Sequence, residues 1–115
     1  MKICEYYEKI GEDFSSVKAR FYDEDMIKRF VLKFGKDETF ANLSEAMRLK
    51  NVSEAFRAAH TLKGVSANLG FSALAGVSGE LTEILRKGDM EGTGGLLKKI
   101  AAAYRKVVKP IKNLE

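Results

Sequence analysis

An all-α fold, an up-and-down antiparallel four-helix bundle with additional short N-terminal helices packed across one end, is predicted by three observations. Apolar residues recur at i, i+3, i+4 and i+7 in one segment after another, and no segment alternates with period two for long enough to make a strand. The breaks between segments carry the Gly, Asn and Asp residues that stop and start helices. With 115 residues and no repeat or linker, the chain reads as one domain, 1–115, whose bundle core spans about 23–108.

Each element has its own justification. Ile3, Tyr6, Tyr7 and Ile10 have helical spacing, and Gly11 is the expected stop. Phe14, Val17 and Phe21 continue a short stripe over a basic face. Asp23 is an N-cap candidate for a helix burying Ile27, Phe30, Val31 and Phe34, with Gly35 as its expected close. A helix from about Asp37 to Lys50 places Phe40, Leu43 and Met47 on one side, and Asn51 is expected to end it. Ser53 should start the long helix that runs to Leu69, and Gly70 then supplies the left-handed residue of a tight turn. Ser72 should cap a return helix whose stripe is Leu74, Val77, Leu81, Ile84 and Leu85. Glu91 to Gly95 reads as a loose start to the last helix rather than a phosphate loop, which needs a Lys-Ser or Lys-Thr after a strand. That helix carries Leu96, Leu97, Ile100, Ala101, Tyr104, Val107 and Val108 until Pro110, which should kink or end it.

Composition excludes several classes. Apolar residues make up 45% and charged residues 31%, a balance of helical globular proteins. The longest apolar run, Ile100 to Tyr104, is far below the roughly 18 residues of a membrane span. Glu5 interrupts any secretory signal, so a cytoplasmic protein with no membrane partner is expected, and the initiating Met1 leans towards a free-standing chain. Cys4 stands alone, which rules out an internal disulfide, and is expected to be a small buried hydrophobe. The net charge of +4 comes from interspersed charges. Lys98, Lys99, Arg105, Lys106 and Lys109 cluster on the last helix, but no base-reading residues accompany them, so no nucleic-acid partner is expected.

The only histidine, His60, falls on the fourth long segment. At about 100° per residue, Ala55, Ala58, Leu62, Val65 and Leu69 lie within about 40° of the pole opposite to it, so the imidazole should face solvent. Phe56, Arg57, Lys63, Gly64 and Ala67 share its side, within about 60°. A metal site is disfavoured because Arg57 and Lys63, three residues either side, would repel a cation. A hydrolytic triad lacks a nucleophile on a sharp turn. What is left is the imidazole as nucleophile: ordinary imidazole titrates near 6.5, so at neutral pH an exposed ring keeps a free lone pair that can attack phosphorus without a base. Lys63 and Arg57 would then offset phosphoryl charge. Gly64 costs helix stability with no core contact to excuse it, and with Ala67 it leaves bare backbone where a second protein can approach, Phe56 offering an apolar contact at the edge. A docking module using the same face without chemistry is the alternative.

Ala59-His60-Thr61-Leu62-Lys63-Gly64, followed by Ala67-Asn68-Leu69-Gly70, resembles the signature of histidine-containing phosphotransfer (HPt) domains, the relay proteins of multistep two-component signalling. The resemblance implies that His60 accepts a phosphoryl group from a receiver-domain aspartate and passes it to another. Lys63 would lie near the phosphoryl oxygens and Gly64 would keep the approach open, with Asn68 on the partner-binding side. Partners would be response-regulator receiver domains, a hybrid sensor histidine kinase, or both. The chain would be a phosphoryl carrier without autokinase activity, a monomer, and would hold no cofactor of its own; the Mg²⁺ for transfer would belong to the receiver.

Overall fold

The computed structural model describes residues 1–114 and is helical throughout, with no strand among the described residues. Seven α-helices follow in order: α1 Ile3–Ile10, α2 Phe14–Phe21, α3 Glu24–Lys36, α4 Thr39–Arg48, α5 Val52–Asn68, α6 Ser72–Arg86 and α7 Gly94–Val108, with a 3₁₀ turn at Lys109–Asn113. Consecutive helices α4 to α7 pack side by side as the four-helix bundle. The stack of Phe40 on Tyr104, with ring centroids 4.3 Å apart, ties the first of them to the last.

The short helices α1 and α2, together with α3, close the end of the bundle where α5 turns into α6. Two buried phenols fasten this cap. Tyr6 Oη donates to the Val107 carbonyl at 2.7 Å and Tyr7 Oη to the Leu69 carbonyl at 2.6 Å, so one ties α1 to the end of α7 and the other to the α5–α6 turn. Tyr7 also stacks on Phe71, and Phe34 of α3 meets Phe71 at 5.2 Å. Burying such rings adds a large apolar contact to the cap.

Several local expectations hold. Gly11 and Gly70 take φ of 76° and 75°, the left-handed ends expected of them. The Asp23 side chain accepts from the amide of Asp25 at the start of α3. Beyond Val108 the chain winds into the 3₁₀ turn, with Pro110 in its first turn. At the glycine-rich corner Gly92 is left-handed, with φ of 75°, and Gly94 and Gly95 form the first turn of α7.

Others are corrected. Cys4 is exposed: Ile3, Tyr6, Tyr7 and Ile10 define the buried face of α1, and Cys4 falls about 60° outside that arc. Gly35 does not end α3, which continues to Lys36; a side chain at Gly35 would meet Ile111 at 3.3 Å, so the glycine admits the 3₁₀ turn instead. α4 is shorter than 37–50, beginning at Thr39, whose amide donates to the Asp37 carboxylate at 2.7 Å. Asn51 is extended and accepts from Glu54, so it starts α5 and Ser53 lies inside the first turn. Ser72 gives its hydroxyl to Glu12, and that carboxylate also takes the Ala73 amide at 3.4 Å, so the start of α6 is capped from the α1–α2 loop.

Candidate functional site

His60 stands at the midpoint of α5, a 17-residue helix, and is exposed. The seam that α5 presents to the core is built from Ala55, Ala58, Ala59, Leu62 and Ser66. Such small residues let α6 come close, and they rotate the buried face towards α6 relative to the sequence reading. Val65, expected in the core, is left 37% exposed for that reason.

The imidazole is oriented by an aromatic neighbour one turn earlier. Phe56 is half-buried, and its ring lies 5.9 Å from that of His60 with the planes 10° apart. Arg86 of α6 places its guanidinium carbon 5.1 Å from the centre of the same Phe56 ring while its Nε donates to Glu83 at 3.0 Å. A cation over an aromatic face is attracted by the ring quadrupole. Phe56, Arg57, His60, Leu85 and Arg86 therefore line one shallow hollow. Among the described residues no hydrogen bond or ion pair engages the imidazole, which leaves both ring nitrogens to solvent.

The other expected residues divide into two groups. Arg57 is exposed on the rim of the hollow, with Nη1 3.7 Å from Glu54 Oε1, a loose pair that leaves the guanidinium available to an anion. Lys63 lays its aliphatic stem across Gly79 of α6, its Cδ 3.5 Å from where a Cβ at Gly79 would stand, so its ammonium is delivered along the α5–α6 seam. A side chain at Gly64 would meet nothing within 4 Å, so no internal packing asks for glycine there. Ala67 and Asn68 are exposed further along, and their carbonyls accept from Arg20 at 3.2 Å and 3.0 Å. Arg20 thereby satisfies the Asn68 carbonyl, joins the Gly70 amide at that of Ala67, and sets a positive charge where the helix dipole is negative.

Arg86, Gly79 and Arg20 were not among the residues singled out from the sequence. The first two were within reach of it: Phe56 and Arg86 stand equally far from Phe71 on either side of the hairpin, as do Lys63 and Gly79. Arg20 had no such signal, because its carbonyl partners depend on where α2 packs.

No group of three or more metal-ligating side chains occurs among the described residues, and no described helix is long and apolar enough to cross a membrane. The geometry is that of an exposed imidazole with cationic side chains on the same face. The family model for the Hpt domain matches residues 36–109, which takes in the whole α4–α7 bundle. The chain belongs to the Hpt domain family. As an Hpt protein it is a histidine phosphotransfer module of two-component signalling. A stretch of 52 residues is 48% identical to the chemotaxis protein CheA of Bacillus subtilis (strain 168), covering 43% of this chain and 8% of that relative. No solved structure matches. Helices α1 and α2 and nearly all of α3 lie outside the residues that the Hpt model matches.

Proposed function

We propose that the chain is a phosphorelay intermediate: His60 accepts a phosphoryl group from an aspartyl phosphate of one receiver domain and passes it to an aspartate of another. The observation that supports this best is His60 itself, solvent-facing at the middle of α5 with Lys63, Arg57 and Arg86 around it and open space over Gly64. In the forward step a ring nitrogen's lone pair attacks phosphorus. The bond from phosphorus to the aspartyl oxygen breaks, the carboxylate leaves with that electron pair, and the N–H proton at the other ring nitrogen is free to pass to water. The return step reverses these changes on a second carboxylate. Lys63 and Arg57 offset the charge spread over the phosphoryl oxygens, and Arg86, held over Phe56, adds a third cation at the hollow.

In this reading the chain binds no ATP, has no autokinase activity and holds no cofactor, the Mg²⁺ being the receiver's. It works in the cytoplasm as a monomer, with response-regulator receivers, a hybrid sensor kinase, or both as partners. Wild-type protein incubated with phosphorylated receiver domains should gain an acid-labile, base-stable label, and His60→Gln should gain none. Label that persists in His60→Gln overturns the assignment, and absence of label with tight receiver binding would favour a docking module without chemistry.

A further inference from the structure

Away from the histidine, the charge of the chain is unevenly spread. Of its 20 cations and 16 acids, six of the cations and none of the acids lie between Gly92 and Leu114, so this one segment exceeds the whole net charge of +4. All six, Lys98, Lys99, Arg105, Lys106, Lys109 and Lys112, are exposed, and none belongs to an ion pair among the described residues. At about 100° per residue, Lys98, Lys99, Arg105 and Lys106 fall within about 60° of Ala102, and Gly95 shares that sector. The buried Ile100 and Val107 take the opposite side of α7. Within the helix the pattern repeats every seven residues: a small residue, Gly95 or Ala102, is followed three and four places on by two cations. Lys109 and Lys112 carry the charge on into the 3₁₀ turn.

The helices on either side do not widen this strip. α7 packs against α6 and, through Tyr104 on Phe40, against α4. The exposed charges of those neighbours are of both signs and largely cancel in the pairs Glu45–Arg48 and Glu83–Arg86, while Glu80 adds a further carboxylate on α6. The basic strip is therefore one helix wide. It also lies across the bundle from α5, so it faces away from His60.

We propose that the outer face of α7 is a second docking site, separate from His60, for an acidic α-helix of a partner protein. Three features favour a helix as the occupant. The first is width, since the strip is only about 10 Å across, the diameter of one helix. The second is relief: Gly95 and Ala102 stand one above the other, about 10.5 Å apart along the axis, and let a second helix approach while the lysines on both flanks reach round to its carboxylates. The third is period, because a seven-residue repeat is one that a neighbouring helix can match with its own, so that a single register pairs each set of cations with acids. Other polyanions fit less well. No exposed aromatic stands on this face to stack the bases of a single strand, Tyr104 being half-buried against Phe40. No exposed large apolar side chain stands on α7 to enter a bilayer. A duplex or a membrane surface, each wider than one helix, would also extend over Glu80. Exposed pairs are weak singly and screened by salt, so the contact is transient and falls with ionic strength.

Binding of synthetic peptides to the full chain, read by fluorescence anisotropy at low salt, tests this. One peptide is a helix of four heptads with paired glutamates every seventh residue beside an alanine; the other has the same composition with its glutamates spread round the helix. Expected is a Kd for the patterned helix roughly tenfold below that of the scrambled one, weakened by about tenfold or more in half-molar salt and again in the double variant Lys98→Glu, Arg105→Glu. Ala102→Leu should weaken the patterned helix and leave the scrambled peptide unchanged. Amide shifts on adding the helix to wild type should centre on Lys98, Ala102 and Arg105 and spare the His60 ring, and this map decides should the variants fail to fold. No saturable binding of the patterned helix, equal affinity for the scrambled peptide, or indifference to the double reversal overturns the proposal. Shifts centred on His60 and Gly64 overturn it as a separate site. Duplex DNA or phosphatidylserine vesicles bound more tightly than the helix, and lost in the same double variant, would assign the face to a nucleic acid or a membrane and overturn it equally.

Discussion

At the scale of single residues, the site separates groups that would act from groups that hold them. His60 is free of hydrogen bonds among the described residues, and the aromatic ring that lies parallel to it is Phe56. Lys63 is different, because its stem is laid over Gly79 and its charge is directed before any partner arrives. Replacing Lys63 by Ala should leave the helix content unchanged and slow transfer from a phosphorylated receiver by roughly 10- to 100-fold, the scale of one positioned charge. Rapid-quench kinetics would check it, and an unaltered rate would remove Lys63 from the reaction. Gly64→Val should melt close to wild type, since nothing stands within 4 Å of the added group, yet transfer poorly because the branched side chain occupies the approach. If transfer per folded molecule is instead unchanged, the glycine serves the helix and not a partner.

At the scale of elements, the α5–α6 hairpin sets the spacing of the site. Its turn depends on Gly70, whose φ of 75° suits glycine and whose α-hydrogen faces Val17 too closely for a methyl group. Gly70→Ala should cost more than the roughly 1–2 kcal/mol of a left-handed alanine, measurable by urea unfolding, and should slow transfer by misplacing Arg86 and Gly79 against α5. The seam itself contains two buried hydroxyls without partners, Ser66 Oγ and Ser78 Oγ. Ser78→Ala removes one such group and a residue of lower helix propensity. It should therefore stabilise the fold by about 1 kcal/mol, and a lower melting temperature would show that the hydroxyl is engaged in solution.

At the scale of the whole molecule, the cap of α1 to α3 is held to the bundle by groups that titrate only in alkali. Burial pushes the phenols of Tyr6 and Tyr7 well above the ordinary value of about 10. A raised folded-state pKa gives stability that is fully present below the unfolded value and is lost as pH rises beyond it, because the unfolded chain releases protons that the folded one retains. Denaturant midpoints should be flat in this respect up to about pH 9 and fall above pH 10. In the double variant Tyr6→Phe, Tyr7→Phe that alkaline fall should be much reduced, at a cost of about 1 kcal/mol per lost hydrogen bond at neutral pH. A double variant as alkali-sensitive as wild type would show that other groups control the transition.

Periodicity alone was enough to order the helices and to turn His60 away from the core, because a 3.6-residue repeat fixes direction wherever one face must be buried. It was also enough to foresee Gly11, Gly70 and Asp23, whose roles are local backbone chemistry. Val65 was misjudged because a wheel gives angles about one axis and not the width of the neighbour that covers it, Cys4 because its residue type was read without its angle on α1, and Gly35 because a glycine that makes room for Ile111 looks in sequence like one that ends a helix. Ser72 was misjudged because the carboxylate that binds it comes from Glu12, 60 residues earlier in the chain. The sequence by itself therefore determined the fold class, the family and the exposure of His60. Only the tertiary structure decided that Phe56 orients the imidazole with Arg86 above it, that Gly79 carries Lys63, and that the N-terminal helices bring Phe21 and Phe30 beside α5. The reason is physical: those contacts join residues distant in the chain, and their distances are set by how closely the helices pack rather than by any spacing along one of them.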